Sequence, residues 1–257
     1  MATVMDQYEL YLHLSVQLNN DAVRYHDLNT RYALKLYKDA FDCWSSSSKS
    51  PIYSKTMKPS DGPLLFWEVI ISNPHEPLVI DEKTIKFAVG VEDSREFVYL
   101  VLLYNVSLLL NSLGETSTAF ECLLAAEELA RIRFNESEDS LDMGSRLHPS
   151  FSVSLLYHLG RSAYTLGEFG LAYDYQCEAL SQGWYLEHES RDDHEKQRFT
   201  ITLATIWTAK AWCLLEQGLL SSSQDAFKEA KELYDQSQSH EIKNAFAKLT
   251  LPAASAA

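Results

Sequence analysis

Glycine and proline are scarce in this chain, 9 and 7 among 257 residues. That supply of turn-forming residues is too small for an all-β protein of this length. Basic residues are also few: 22 Lys and Arg stand against 36 Asp and Glu, a formal net charge of −14. Phosphate backbones and anionic membrane faces are met by clustered Lys and Arg, so neither nucleic acid nor an anionic membrane is an expected partner. The acidic balance keeps the chain soluble by self-repulsion, or else meets a basic partner. Only four cysteines occur, Cys43, Cys122, Cys177 and Cys213, and no two form a CxxC pair. Zinc spacing is therefore missing. Each cysteine lies in an apolar helical stretch, where a free thiol behaves as a small buried hydrophobe. All four are expected to be reduced, which suits the cytoplasm or nucleus. The opening MATVMDQYELYLHL shows neither the basic-then-apolar order of a secretory signal nor the Arg content of a transit peptide. No apolar run approaches the ~20 residues of a spanning helix, because VYLVLLYNVSLLL (98–110) is interrupted by Tyr, Asn and Ser. No membrane insertion is expected.

Chemistry-bearing motifs are missing as well. There is no GxSxG, phosphate-binding loop or dinucleotide fingerprint. His188-Glu189 and His194-Glu195 begin HExxH patterns, but Asp192 and Arg198 stand where the second His belongs. No catalytic residue, metal or cofactor is expected.

What the chain does have is aromatic side chains, 12% of residues with 14 Tyr and 5 Trp, which argues against disorder. It also has a pattern that recurs three times, at 103–126, 156–179 and 207–230. Each stretch opens on a large apolar residue (Leu103, Leu156, Trp207) and has a Gly eleven positions later (Gly114, Gly167, Gly218). Each then has a small residue five positions on (Ala119, Ala172, Ser223) and an Ala seven beyond that (Ala126, Ala179, Ala230). Repetition on this scale is the mark of stacked helical hairpins. Short side chains about two turns apart let antiparallel helices approach, with Leu103, Val106, Leu156, Leu159 and Trp207 filling the gaps. Glycine is cheap in the left-handed conformation that ends a helix. Gly160, inside a helix, calls for a packing reason, since glycine there costs about 1 kcal/mol.

The spacing predicts helices at 94–113, 116–134, 150–166, 168–182, 195–216 and 220–237, with loops at 135–148 and 184–195 and a capping helix near 240–249. Residues 6–44 read as a divergent first pair, with Asn29 or Thr30 as a cap and Leu28 where the later units carry Gly. Residues 45–93 are a Ser-, Lys- and Pro-rich linker followed by a short β-like insert at 64–91. The insert covers an exposed helix face in this reading. Alternatives are a phosphorylated regulatory linker, a docking surface at Phe66 and Trp67, and an enzyme site near Trp67, Glu68, His75 and Glu76. The organisation is one domain over 1–257: the pair at 6–44, the linker and insert at 45–93, three hairpins at 94–237, and a cap and tail at 238–257.

These units resemble the tetratricopeptide repeats. The nearest stretch is LYHLGRSAYTLGEFGLAYDYQCEAL, with Leu159-Gly160, Tyr164, Gly167, Ala172 and Ala179-Leu180. The unit before it has Val106-Ser107 where the family favours Leu-Gly, and the last has Lys210-Ala211 there. The starts fall 53 and 51 residues apart, against ~34 in the family, so loops or longer helices must absorb the difference. The resemblance implies an all-α, right-handed superhelix of antiparallel hairpins. It also implies a concave groove, lined by first helices, that takes a peptide or helix of another protein. Carried onto this chain, the groove comprises Val101, Tyr104, Leu108 and Asn111, then Ser154, Tyr157, Arg161 and Tyr164, then Thr205, Thr208, Trp212 and Glu216. Tyr104, Leu108, Asn111, Tyr157, Arg161, Tyr164, Thr208 and Trp212 are the contacts singled out, with ordinary core packing as the alternative for Tyr104, Tyr157 and Trp212. Capture of a chaperone's C-terminal carboxylate is disfavoured, because Asn105 is followed by His158, Arg161 and Ala209 with no Lys set. The expected function is a non-catalytic adaptor or scaffold. The alternatives are a permanent subunit of a larger assembly and self-association through the last repeat.

Overall fold

The computed structural model describes residues 7–47, 77, 79–80, 91–131, 149–189 and 193–237. Among them are eight α-helices and no strand. The helices are α1 (Gln7–Tyr25), α2 (Thr30–Ser46), α3 (Val91–Ser112), α4 (Thr116–Ala130), α5 (Pro149–Thr165), α6 (Phe169–Glu189), α7 (Asp193–Glu216) and α8 (Leu220–Ser237). They pack as sequential antiparallel hairpins, α1–α2, α3–α4, α5–α6 and α7–α8. The second helix of each hairpin also packs on the first helix of the next, and α1 touches α3 as α5 touches α7.

One local device builds the last three hairpins. Gly114, Gly167 and Gly218 have φ of 82°, 84° and 78°, a backbone region that a Cβ penalises. The residue after each Gly donates its N–H five positions back, Glu115 to Leu110, Glu168 to Ala163 and Leu219 to Leu214, each at 2.9 Å. The Gly N–H itself reaches three back, so the last carbonyls of the first helix are satisfied. The carbonyls of Glu115, Glu168 and Leu219 then accept from Ala119, Ala172 and Ser223 and open the second helix. In the first hairpin Ala33 likewise donates to the Asn29 carbonyl, and the Asn29 side chain caps α2 by accepting from the Tyr32 N–H at 3.1 Å.

The small residues face inward. Ala33, Ala40, Ala119, Ala126, Ala172, Ala179, Ser223 and Ala230 are all buried. Ser223 explains itself: its hydroxyl donates across the hairpin to the Ala211 carbonyl at 2.9 Å, as Ser15 does to Ala40 at 2.8 Å. Glycines inside helices also mark close approaches. A Cβ on Gly183 would lie 2.8 Å from Leu203 Cδ2, and one on Gly160 would collide with the Gln176 amide and meet the Ala172 carbonyl at 3.2 Å.

One apolar core runs from α1 through α5, built on Val16, Tyr37, Leu100, Leu109, Leu123 and Leu159, and a second joins α5, α6, α7 and α8 through Leu156, Leu180, Leu203 and Leu233. Polar pairs register the hairpins. Asn105 Nδ2 donates to Asn19 Oδ1 at 2.9 Å, and Asn111 Nδ2 to Ser162 Oγ at 3.0 Å. The first seam is aromatic, with Trp44 stacked on Tyr99 at 4.1 Å and its indole N–H donating to the Arg95 carbonyl at 2.8 Å.

Two sequence expectations change. The helix predicted to stop at 182 continues to Glu189, and the next begins at Asp193. Most of the predicted loop at 184–195 is therefore helix, because Leu and Glu, which make up most of LEHE, are good helix formers. Of the cysteines, Cys213 is buried but Cys43, Cys122 and Cys177 are only half-buried. The Ser-rich linker, the loop at 135–148 and the capping helix near 240–249 lie outside the described residues. So does the β-like insert, apart from residues 77, 79 and 80 and its last residue, Val91, which opens α3 as helix and not as an extended segment. Ile80 is buried, and its peptide unit is held on both sides by Asn20 of α1. Asn20 Nδ2 donates to its carbonyl at 2.6 Å, and its N–H donates to Asn20 Oδ1 at 2.8 Å.

The first hairpin carries a pH-sensitive contact. His26 is buried, with Nδ1 3.3 Å from the Tyr37 hydroxyl. Burial holds its pKa below the ordinary 6.5, with Asp27 opposing. The folded protein thus resists a proton that the unfolded chain accepts. This part of the stability is complete above pH 6.5 and falls as pH drops below that value. The urea midpoint is expected to fall between about pH 7.5 and about pH 5.5, and His26→Gln is expected to flatten that fall. An equal fall in the variant would assign it to other groups.

Candidate functional site

A cavity of about 830 Å3 opens between α5, α6, α7 and α8. Its walls include Tyr157, Arg161, Tyr164, Thr208 and Trp212, five of the eight contacts singled out in the sequence, together with Thr205. Tyr157, Arg161 and Tyr164 recur along α5 at the spacing of one helix face, as Thr205, Thr208 and Trp212 do along α7. The small residues Ala204 and Ala209 leave room between them, while the space beside Gly160 is taken by the Gln176 amide. Trp212 is 46% exposed and meets Phe227 edge-on at 5.5 Å. The Arg161 guanidinium lies over the Tyr157 ring at 5.8 Å. Burial raises the pKa of Tyr157, and this cation opposes the shift. The Tyr164 hydroxyl donates to Glu216 Oε1 at 3.2 Å and joins α5 to α7 at the rim.

A smaller cavity of about 280 Å3 lies beside the first, at the turn of the α1–α2 hairpin, the end of α3, the start of α4 and the C-terminal half of α5. It holds Leu108 and Asn111 and shares Arg161 and Thr165 with its neighbour. Seven of the eight residues thus border one or other of two cavities that share Arg161 in their walls. Tyr104 borders neither. It is fully buried, 5.3 Å from Phe151 and 5.6 Å from His158 between ring centroids, with its hydroxyl bonded to Ser154. Val101 and Ser154 are buried too.

Gln176, Ile201, Phe227, Lys231 and Tyr234 also line the larger cavity and were not singled out. Ile201 precedes the face of α7 that was read. The other four come from α6 and α8, the second helices of their hairpins. Phe227, Lys231 and Tyr234 are spaced by four and three, so the sequence does place them on one face of α8.

Lining charges are one-sided. Arg161 and Lys231 are present, and no carboxylate is, in a chain of net charge −14. Cys213 also borders the cavity, and burial pushes its thiol up to about 11, so it stays protonated near neutral pH. Among the described residues no group of three or more His, Cys, Asp and Glu side chains is arranged to hold a metal ion. No described helix is long and apolar enough to cross a membrane.

No family model, no curated protein and no solved structure matches this chain.

Proposed function

We propose that the chain is a non-catalytic adaptor of the tetratricopeptide type, its hairpins coiled into a right-handed superhelix, and that it holds a segment of another protein in the α5–α8 groove. The observation that carries this reading is the convergence of Tyr157, Arg161, Tyr164, Thr208 and Trp212 on one open cavity. Tyr, Trp and Arg are the side chains that dominate interface energetics. The walls are rigid helices packed on a common core, so little ordering cost falls on this partner when it binds. The one thiol in the wall is held protonated, which supports binding over nucleophilic chemistry.

The Arg161→Ala plus Trp212→Ala variant tests the reading. Both side chains are exposed, although Trp212 also meets Phe227 of α8 edge-on. Helicity is expected to stay unchanged while capture of the natural partner from native extract falls at least ~100-fold, as for loss of two interface anchors. Undiminished capture would remove the assignment.

One observation favours a second reading, a permanent subunit of a larger assembly. Leu28, Leu113, Leu166, Leu219 and Leu220 all sit at hairpin turns and are 39–82% exposed. The turns lie along one edge, since the C-terminal ends of α3 and α5 meet at Asn111–Ser162 and those of α5 and α7 at Tyr164–Glu216. Such an apolar edge suits burial against another subunit. A chain that elutes as a stable monomer without its partner would count against it.

A further inference from the structure

We infer that the segment held in the α5–α8 groove is an acidic peptide that places an N–H donor on Gln176, an inference that rests on the groove reading above. Two independent observations carry it. The first is charge. Arg161 and Lys231 are the charged side chains of the lining, both exposed, on opposite sides of the groove. In a protein with 14 more acidic than basic side chains, a cavity whose lining charges are both cations, with the Glu216 carboxylate at the rim taken up by the Tyr164 hydroxyl, favours carboxylates over basic segments.

The second observation is an unused acceptor. Gln176 is fully buried, and the space that a Cβ on residue 160 would fill belongs to its amide. Its Nε2 donates to the Tyr157 carbonyl at 3.2 Å, which fixes the orientation of the amide, and Oε1 has no hydrogen-bond partner. Buried acceptors are normally paired; this one has no accessible surface, so an incoming N–H reaches it only as the Gln176 amide shifts toward the cavity. The threonine hydroxyls of the α7 wall do not supply the donor. Thr205 donates to the Ile201 carbonyl and Thr208 to the Ala204 carbonyl, each at 2.9 Å, so both present lone pairs only. The walls therefore ask for N–H groups as well as for negative charge. A peptide with Asp or Glu side chains brings both, whereas a free inorganic anion brings acceptors alone. The exposed faces of Trp212 and Tyr234 are placed for its apolar side chains. The chain's own C-terminal stretch does not fit, because Lys243 and Lys248 outnumber Glu241 there.

The test is selection of a random twelve-residue peptide display library on the full-length chain. Enriched sequences are then made synthetically and their affinities measured by fluorescence anisotropy. Controls are Thr208→Trp, which fills the groove, and Lys231→Glu, an exposed change whose fold is checked by circular dichroism. The expected result is enrichment in Asp and Glu, binding abolished by Thr208→Trp, and affinity reduced at least ~10-fold by Lys231→Glu, as for reversal of one interfacial charge. Methylating each peptide nitrogen in turn should find one position whose loss weakens binding to the native chain but not to Gln176→Met. Neutral or basic peptides that still depend on an open groove would overturn the acidic occupant and leave the groove reading standing. So would displacement of the selected peptides by a synthetic 238–257 peptide. Absence of any such N–H position would overturn the role of Gln176. Peptides indifferent to Thr208→Trp, or no enrichment at all, would overturn the groove reading itself.

Discussion

Tyr104→Ala is expected to lower the unfolding free energy by roughly 3–5 kcal/mol, the range for deleting a buried aromatic side chain. Tyr104 has no exposed surface and joins α3 to α5 through Phe151, His158 and Ser154. Truncation would open a cavity at the junction of two hairpins, where neighbouring helices are fixed by other contacts and cannot collapse into it. Tyr104→Phe keeps the ring and gives up a hydroxyl whose partner stays buried, so about 1–3 kcal/mol is expected. Urea denaturation followed by circular dichroism reads both values. A variant that keeps its midpoint but loses partner binding would return Tyr104 to the groove face.

The second large effect concerns the inward alanines. Ala126→Leu and Ala179→Leu are each expected to cost about 1–3 kcal/mol, because both positions are fully buried where helices approach closely. Ala125 provides the control. It neighbours Ala126 in sequence but is exposed, and Ala125→Leu is expected to stay within about 0.5 kcal/mol of the native chain. Helix propensity is nearly the same at the two neighbouring positions, so the difference between them measures close packing alone. Equal effects at 125 and 126 would mean that the short side chains have no role in bringing the helices together.

The hairpins were legible in the sequence because their requirements are local. A positive φ at Gly114, Gly167 and Gly218 and a short side chain five residues later are needed whatever surrounds the turn. Helix ends were less legible where the cue was charge. LEHE reads as loop-like, but Leu and Glu are good helix formers, and α6 runs to Glu189. The groove was half legible. The same face of a first helix borders an open cavity in α5 and α7, while in α3 Tyr104 is closed over by the next hairpin. Which outcome applies depends on where the neighbouring hairpin lies, and periodicity within one helix does not encode that. Gln176 was missed because its role follows from a collision it would have with any side chain at Gly160. The sequence signals a packing reason at Gly160 without naming the partner.

The most direct test of the groove is a photo-crosslinking amino acid placed in turn at Trp212, at Tyr185 and at Leu28 of the full-length chain in its native cell extract. Trp212 borders the cavity, while Tyr185 and Leu28 are 61% and 82% exposed elsewhere. One discrete protein adduct is expected from position 212, lost when Arg161→Ala is added, and none of that size from the other two. Adducts from positions 185 or 28 with none from 212 would contradict the groove assignment.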